Sequence, residues 1–220
     1  MITRIIIILG IILLSVSNSF SQSSRSTVGF EGGSSFVTVY GNAIAGENRS
    51  AAFRFSGGFS YQYRISDLFA LRTNLFFERK GNKVIIDDMI LGVPVDITGH
   101  NYYNYLTVPL LCRVTFGKKI KFFANAGPYA GALLSERSIA ETTSKDQPRT
   151  ESTDIERYER MDYGISSGIG MNFKLLEDIS LGFELRNNLG LRNISKRPVL
   201  NDGTIKNNTT SLLIGISFNL

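Results

Sequence analysis

Residues 51–65 read Ala-Ala-Phe-Arg-Phe-Ser-Gly-Gly-Phe-Ser-Tyr-Gln-Tyr-Arg-Ile. Taken alternately, one face is Ala51, Phe53, Phe55, Gly57, Phe59, Tyr61, Tyr63 and Ile65. The other is Ala52, Arg54, Ser56, Gly58, Ser60, Gln62 and Arg64. A period of two places successive side chains on opposite faces of a strand, here one apolar and one polar. The run is roughly twice the five or six residues of an ordinary strand. It matches instead the length of about nine to eleven residues that crosses a tilted bilayer.

The same alternation recurs along the chain. In 162–173, Tyr163, Ile165, Ser167, Ile169, Met171 and Phe173 oppose Asp162, Gly164, Ser166, Gly168, Gly170 and Asn172. In 179–191, Ile179, Leu181, Phe183, Leu185, Asn187, Leu189 and Leu191 oppose Ser180, Gly182, Glu184, Arg186, Asn188 and Gly190. The pattern predicts eight strands, near 26–36, 51–65, 68–80, 102–116, 120–134, 160–174, 179–192 and 208–220. Short turns at 65–68, 117–119 and 175–178 alternate with long polar connections at 37–50, 81–101, 135–159 and 193–207. That layout predicts an all-β fold: an eight-stranded antiparallel transmembrane β-barrel of up-and-down connectivity, with short periplasmic turns and longer outer loops. A soluble β-sandwich, the alternative, would use shorter strands. Nor would it carry Phe and Leu along a whole face while placing Arg54, Arg64, Arg72, Glu78, Arg113, Asp162, Glu184 and Arg186 on the other.

Eight strands make a narrow barrel whose own side chains fill the interior. Inward charges then need partners, because an unpaired buried charge costs several kcal/mol. Glu31, Glu78 and Glu184 are the expected partners of Arg54, Arg72, Arg113 and Arg186, as a network that fills the lumen rather than a substrate path. Inner glycines make room for it. Outward Tyr and Phe near the strand ends form aromatic girdles. Pro109, which cannot donate to a ladder, predicts a local bulge facing the lumen.

The N-terminal segment reads as an address. Residues 1–4 carry one positive charge, 5–16 are apolar, and Ser19 and Ser21 occupy the −3/−1 positions of a signal-peptidase site. The expected domains are a signal peptide over 1–21 and a barrel over 22–220. The apolar run is too short for a spanning helix, which needs about twenty residues. No Cys follows it, so no lipoprotein anchor is expected. At the other end, Gly215, Phe218 and Leu220 fit the Gly-x-x-apolar-x-apolar terminal strand read by the barrel assembly machinery.

The net charge of +5 and pI of about 9.3 raise the question of nucleic acid. Without Arg4 the balance is 23 basic against 19 acidic residues, which is weak grounds for such a partner in an exported chain. The excess is expected in the lumen and at the periplasmic turns, at Arg64, Lys118, Lys119, Lys121 and Lys174. The connection 135–159 runs the other way, with seven acids against four bases. It reads as a solvated loop or an outer partner-binding surface.

Little chemistry is expected, and no cofactor or metal. A single Cys excludes an intramolecular disulfide and a Cys-based zinc site. Cys112 is expected to face lipid as a small apolar residue. A single His leaves His100, with Ser135 and Asp162 near the outer rim, as the sole material for a His-dependent triad. Asp87, Asp88 and Asp96 read as a solvated loop before they read as a cation site. No Gly-rich phosphate loop opens a helix.

Two stretches carry a family resemblance. Tyr105-Leu106-Thr107-Val108-Pro109-Leu110-Leu111 and Gly127-Pro128-Tyr129-Ala130-Gly131 resemble the Y-L-x-I-P-L-L and G-P-Y-x-G strands of the PorT-like outer-membrane β-barrel family of Bacteroidota. Ser19-Phe20-Ser21-Gln22 is similar to signal-peptide ends of that phylum. The resemblance implies a compact outer-membrane barrel, some of whose relatives serve type IX secretion and gliding. It brings no catalytic motif. The expected partners are outer-membrane lipid and lipopolysaccharide, the assembly machinery, and a larger outer-membrane complex, with no nucleic acid. The expected function is a non-enzymatic structural or accessory subunit. The alternatives are an adhesin or ligand-binding barrel acting through its outer loops and, third, a lipid-modifying or proteolytic enzyme.

Overall fold

Ten strands appear in the computed structural model, which describes residues 25–41, 49–90, 93–142, 149–196 and 203–220. They are β1 (Ser26–Gly41), β2 (Arg49–Ser50), β3 (Ala52–Arg64), β4 (Phe69–Ile90), β5 (Val93–Phe116), β6 (Ile120–Thr142), β7 (Arg149–Ser152), β8 (Met161–Lys174), β9 (Ile179–Gly190) and β10 (Ile205–Asn219). The expected signal segment, 1–21, lies outside the described residues. Eight long strands pair antiparallel in the order β4-β3-β1-β10-β9-β8-β6-β5, and β4 pairs with β5 to close the ring. β1 lies along β10 from Thr27↔Asn219 to Gly41↔Ile205. Closure removes the sheet edges that lipid could not satisfy.

The alternation of the sequence becomes two surfaces. Phe53, Phe55, Phe59, Leu110, Ile169, Leu185 and Ile214 point outward and are exposed, Phe55 and Ile169 to 63%. A continuous band of exposed aromatic and aliphatic side chains is stable against hydrocarbon and not against water. Ile169→Arg, near the middle of that band, is expected to lower stability in lipid vesicles by about 2–4 kcal/mol. Urea unfolding from vesicles measures this, and a cost near zero would show that the face is not in hydrocarbon. Inward, the strands present Ser35, Ser56, Arg72, Asn74, Glu78, Arg113, Asn125, Glu184, Arg186 and Asn188, all buried.

The turns fall at 65–68, 117–119 and 175–178, where the sequence places them. Gly117 has a φ of 102°, which favours glycine in the β5–β6 turn. The long connections differ. β4 and β5 continue through most of 81–101 as one projecting hairpin, and β6 runs on to Thr142. The stretch 84–86, Val-Ile-Ile, and the β-branched residues of 93–98 favour extended backbone although their pattern no longer alternates cleanly. Asp87, Asp88 and Asp96 belong to the backbone of this hairpin, and their side chains lie outside the described residues.

Pro109 faces the lumen and is buried, but no bulge forms there. The β4–β5 ladder has a gap at residues 74–75 opposite 108–109, and the β5–β6 ladder a gap at 110–111 opposite 127–128, with the register unchanged across both. Pro109 and Pro128 each lack an N–H, so each interrupts one seam without inserting a residue. Thr73 Oγ1 donates to the Pro109 carbonyl at 2.8 Å. The register shift lies higher, between Asn104 and Tyr105, where Leu134 is the extra residue on β6.

Candidate functional site: the lumen and its two mouths

Strand register decides which inward residues meet. On the turn side, Glu31 of β1 faces Arg72 of β4 and Arg186 of β9. Its carboxylate pairs closely with Arg72 and accepts from Arg186 Nη2 at 3.2 Å and from Asn74 Nδ2 at 3.1 Å. Glu184 accepts from Arg186 Nε at 2.6 Å, Arg113 Nη2 at 3.3 Å and Asn125 Nδ2 at 3.0 Å. Arg113 also donates to Asn125 Oδ1 and Gln62 Oε1, and its guanidinium covers the Phe123 ring at 3.7 Å. Room for this layer comes from glycine. A Cβ on Gly168 would sit 2.7 Å from Glu184 Oε1, and one on Gly215 would sit 2.7 Å from Glu31 Cγ.

Phe76, inward and 2% exposed, separates this layer from a second one, and the Arg186 guanidinium lies 5.3 Å from its ring centre. The second layer centres on Lys80, whose Nζ lies 3.0 Å from Asp162 Oδ2 and 3.5 Å from Glu78 Oε2. The same Asp162 oxygen accepts from Tyr129 and Asn207, while Glu78 accepts from Asn188 and Thr107. The rings of Tyr105 and Tyr129 flank the ammonium at 4.9 and 4.7 Å. Three arginines with two glutamates below, and one lysine with two acids above, leave the two layers neutral in sum.

The structure thus brings Glu31, Arg72, Arg113, Glu184 and Arg186 into one layer and places Glu78 in the other. It does not bring Arg54 to either; that side chain lies at a gap between β3 and β4, against Tyr102. Lys80 was missing from the sequence-based set. Its signal was its phase, since it continues the inner series Ala70, Arg72, Asn74, Phe76 and Glu78. Of the C-terminal signal residues, Gly215 faces Glu31, Phe218 pairs between Val28 and Ile179, and the Leu220 N–H donates to the Ser26 carbonyl.

Above the second layer an apolar cap closes the loop-side mouth. Tyr103, Tyr105, Leu133 and Ile194 form a buried cluster, with Ile155, Tyr158 and Ile205 packed against it. The connections after β6 and β9 reach this cluster through main-chain bonds, Glu159 N–H to Ile194 O at 2.9 Å and Ile194 N–H to Ile205 O at 2.8 Å. Glu136, buried, accepts from the Asp154 N–H and the Ser138 hydroxyl. The expected solvated loop 135–159 is therefore partly folded, as β6, β7 and a 3₁₀ turn at Ile155–Arg157. Outside the membrane-spanning segments, the hydrogen bond from Arg137 holds the exposed Glu151 carboxyl below its ordinary pKa. Ile194→Ala is expected to cost about 2–5 kcal/mol of local stability. Amide exchange at Glu159 and Lys196 should accelerate while the strands stay protected, and unchanged exchange there would count against the cap.

On the turn side the lumen opens into a cavity of about 300 Å³. Arg64, Lys118, Lys119, Lys121 and Lys174 line its rim, and Arg72, Arg113, Glu31 and Glu184 line its floor. This mouth is basic.

His100, Ser135 and Asp162 are not assembled. Asp162 is fully buried with Lys80, Ser135 accepts from Asn104 on the outer face, and His100 lies by Tyr102 with its Nδ1 unpartnered. Cys112 is exposed on the outer wall. Among the described residues no group of three or more His, Cys, Asp or Glu is placed to hold a metal.

A family model described as the outer membrane protein beta-barrel domain matches residues 20–196. Among solved structures, Neisserial surface protein A is 13% identical, with 91% of this chain and 100% of that one covered and a TM-score of 0.45. The attachment invasion locus protein Ail of Yersinia pestis is 13% identical, with coverages of 88% and 99% and a TM-score of 0.39. The outer membrane protein OprG of Pseudomonas aeruginosa is 9% identical, with coverages of 90% and 98% and a TM-score of 0.43. No curated protein sequence matches the chain significantly.

Proposed function

The chain belongs to the outer membrane protein β-barrel domain family, and from that premise we propose that it is a non-enzymatic outer-membrane barrel serving as a structural or accessory subunit of a larger assembly. The observation that carries this reading is the closed lumen: two salt-bridged layers, Phe76 between them, and an apolar cap above. A barrel so filled offers its membrane no conduit. What it offers is surface: a lipid-facing wall, a folded loop end and a basic turn end.

In this reading residues 1–21 direct export and are removed. Gly215, Phe218 and Leu220 present the last strand to the assembly machinery. Both ends of the barrel and the basic mouth face the periplasm, and the cap faces outward. The resemblance to PorT-like barrels of Bacteroidota suggests a type IX secretion or gliding machine as the class of assembly. Purification in mild detergent tests the reading: the protein should run as a large particle with a stoichiometric partner. A protein that runs alone, and whose deletion spares secretion, would defeat it. Ser152→Cys should label on intact cells while Lys118→Cys should not, and the reverse pattern would invert the orientation.

The folded cap favours a second reading, an adhesin or ligand-binding barrel. Excising residues 141–149, which rejoins the paired Ala140 and Thr150, should then abolish adhesion while leaving the barrel intact. Unchanged adhesion would remove this reading.

A further inference from the structure

The β3–β4 ladder ends at Ser56↔Glu78 and pairing on β4 resumes only with β2, at Lys83↔Ser50. Across the interval no residues of the two neighbouring strands are paired, although β3 stays paired to β1 and β4 to β5. Arg54 occupies this seam. By phase it belongs to the inner face, yet its guanidinium carbon lies 4.4 Å from the ring centre of Tyr102, and that of Arg79 lies 5.9 Å from the same ring. Tyr102 and Arg79 belong to the outer face, in phase with Phe77 and Asn104. With Phe53, Phe55 and Phe77 they line a crevice of about 450 Å³ on the outside of the barrel.

Two features of the crevice ask for a ligand. The first is charge. Arg54 and Arg79 share one ring, and among the described residues neither is in an ion pair. Arg79 donates to Asn104 Oδ1 at 2.9 Å and Arg54 to the Phe53 carbonyl at 2.8 Å, while Nε and Nη2 of Arg54 are buried with no acceptor. Two guanidiniums held this close repel unless an anion lies between them, and the planar fork of arginine suits phosphate oxygens. The second is position. The crevice lies toward the loop side of the apolar band, with exposed Phe77 on its membrane side and exposed Phe53 and Phe55 flanking Arg54 along β3. A ligand there has an anionic head at the level of the arginines and an apolar body along Phe55 and Phe77.

We propose that this seam is a binding site for an anionic, phosphate-bearing lipid of the surrounding leaflet, its phosphate held by Arg54 and Arg79 beside Tyr102 and its acyl chain laid along Phe55 and Phe77. The site rests on the reading of the barrel as membrane-embedded. Its occupant comes from the bilayer rather than from solution, because the crevice opens on the wall and not into the lumen.

The absence of Trp from the chain makes the test direct. Leu75→Trp places one fluorophore on β4 below the crevice, and Leu185→Trp places one on β9, across the barrel. Each protein is reconstituted in vesicles of phosphatidylcholine containing brominated phosphatidylglycerol, and separately brominated phosphatidylcholine. Quenching of the β4 fluorophore should show a preference of about thirtyfold for the anionic lipid, the sum of two membrane-surface arginines, with none for the β9 fluorophore. Arg54→Gln with Arg79→Gln should erase the preference on β4, and Arg54→Lys should retain part of it. Gel mobility with and without heating confirms that each variant is folded. A preference that survives the double substitution, or is equal at both reporters, would overturn the site. Loss of the preference in millimolar inorganic phosphate would overturn the lipid as its occupant. Absence of quenching at both reporters would overturn the membrane reading and the site together, a result distinct from quenching without preference.

Discussion

Glu184→Leu lowers the unfolding free energy of the barrel by about 3–5 kcal/mol, the cost of removing one partner from a buried ion pair. Glu184 is 4% exposed and holds two arginines and an asparagine at once. Without it, Arg113 keeps only neutral acceptors, on Asn125 and Gln62. Arg186 keeps Glu31, which already serves Arg72. The lower layer is left with three cations against one anion in a space closed above by Phe76. Urea titration in detergent, followed by far-ultraviolet circular dichroism, measures the loss. Glu184→Gln, which retains acceptor and shape, should cost less. A loss below about 1 kcal/mol for the leucine variant, the range of an exposed ion pair, would mean that water reaches the layer and screens it.

Lys80→Met produces the opposite imbalance in the layer above and a loss of similar size, about 3–5 kcal/mol. Its ammonium is 1% exposed and stands between Asp162 and Glu78. Removing it leaves two carboxylates facing each other among tyrosines. Adding Asp162→Asn and Glu78→Gln to Lys80→Met should restore much of the loss, since a neutral hydrogen-bonded cluster of the same shape avoids the desolvation of charge. The three changes are in contact and will not be additive. A triple variant as unstable as Lys80→Met alone would place the role of Lys80 in packing against Tyr105 and Tyr129 rather than in charge.

The barrel was legible because lipid enforces a strict rule. Wherever a strand crosses the apolar band, each second residue must be apolar, so 162–173 and 179–191 declare both their faces and their ends. Above the band that rule lapses. The hairpin of 81–90 with 93–101 is held by main-chain pairing, and its sequence shows no alternation to read. The cap was hidden because Ile194 is one of four apolar residues in the connection 193–207 with no periodic pattern, and its burial depends on where Tyr103 and Leu133 stand.

Within the lumen, phase tells which way a residue points but not whom it meets. Glu31 reaches Arg72 and Arg186 through the β1–β3, β3–β4, β1–β10 and β9–β10 registers together, and no local pattern encodes that sum. Lys80 was within reach of the same phase argument carried one residue pair beyond Glu78. Arg54 obeys the phase yet leaves the lumen, because the rule assumes a continuous ladder and the ladder is broken at its height.

The wide sequence spacing of the lumen charges orders events in time. Arg113 and Glu184 are 71 residues apart, and Arg186 and Glu31 are 155 apart, on strands made at opposite ends of synthesis. Arg186 with Glu184 and Lys80 with Glu78 are local pairs. Each half of the chain can pair some charges alone, Glu31 with Arg72 and Glu78 with Lys80 in the first and Glu184 with Arg186 in the second, but Arg113 and Asp162 wait for the other half, and a bare charge on an open inner face resists burial in hydrocarbon. The penalty lifts as the ring closes and Arg113 meets Glu184 and Asp162 meets Lys80. Drying of the interior, neutralisation and commitment to the bilayer then coincide, and a chain lacking its last strand is held back from the membrane by its own charges.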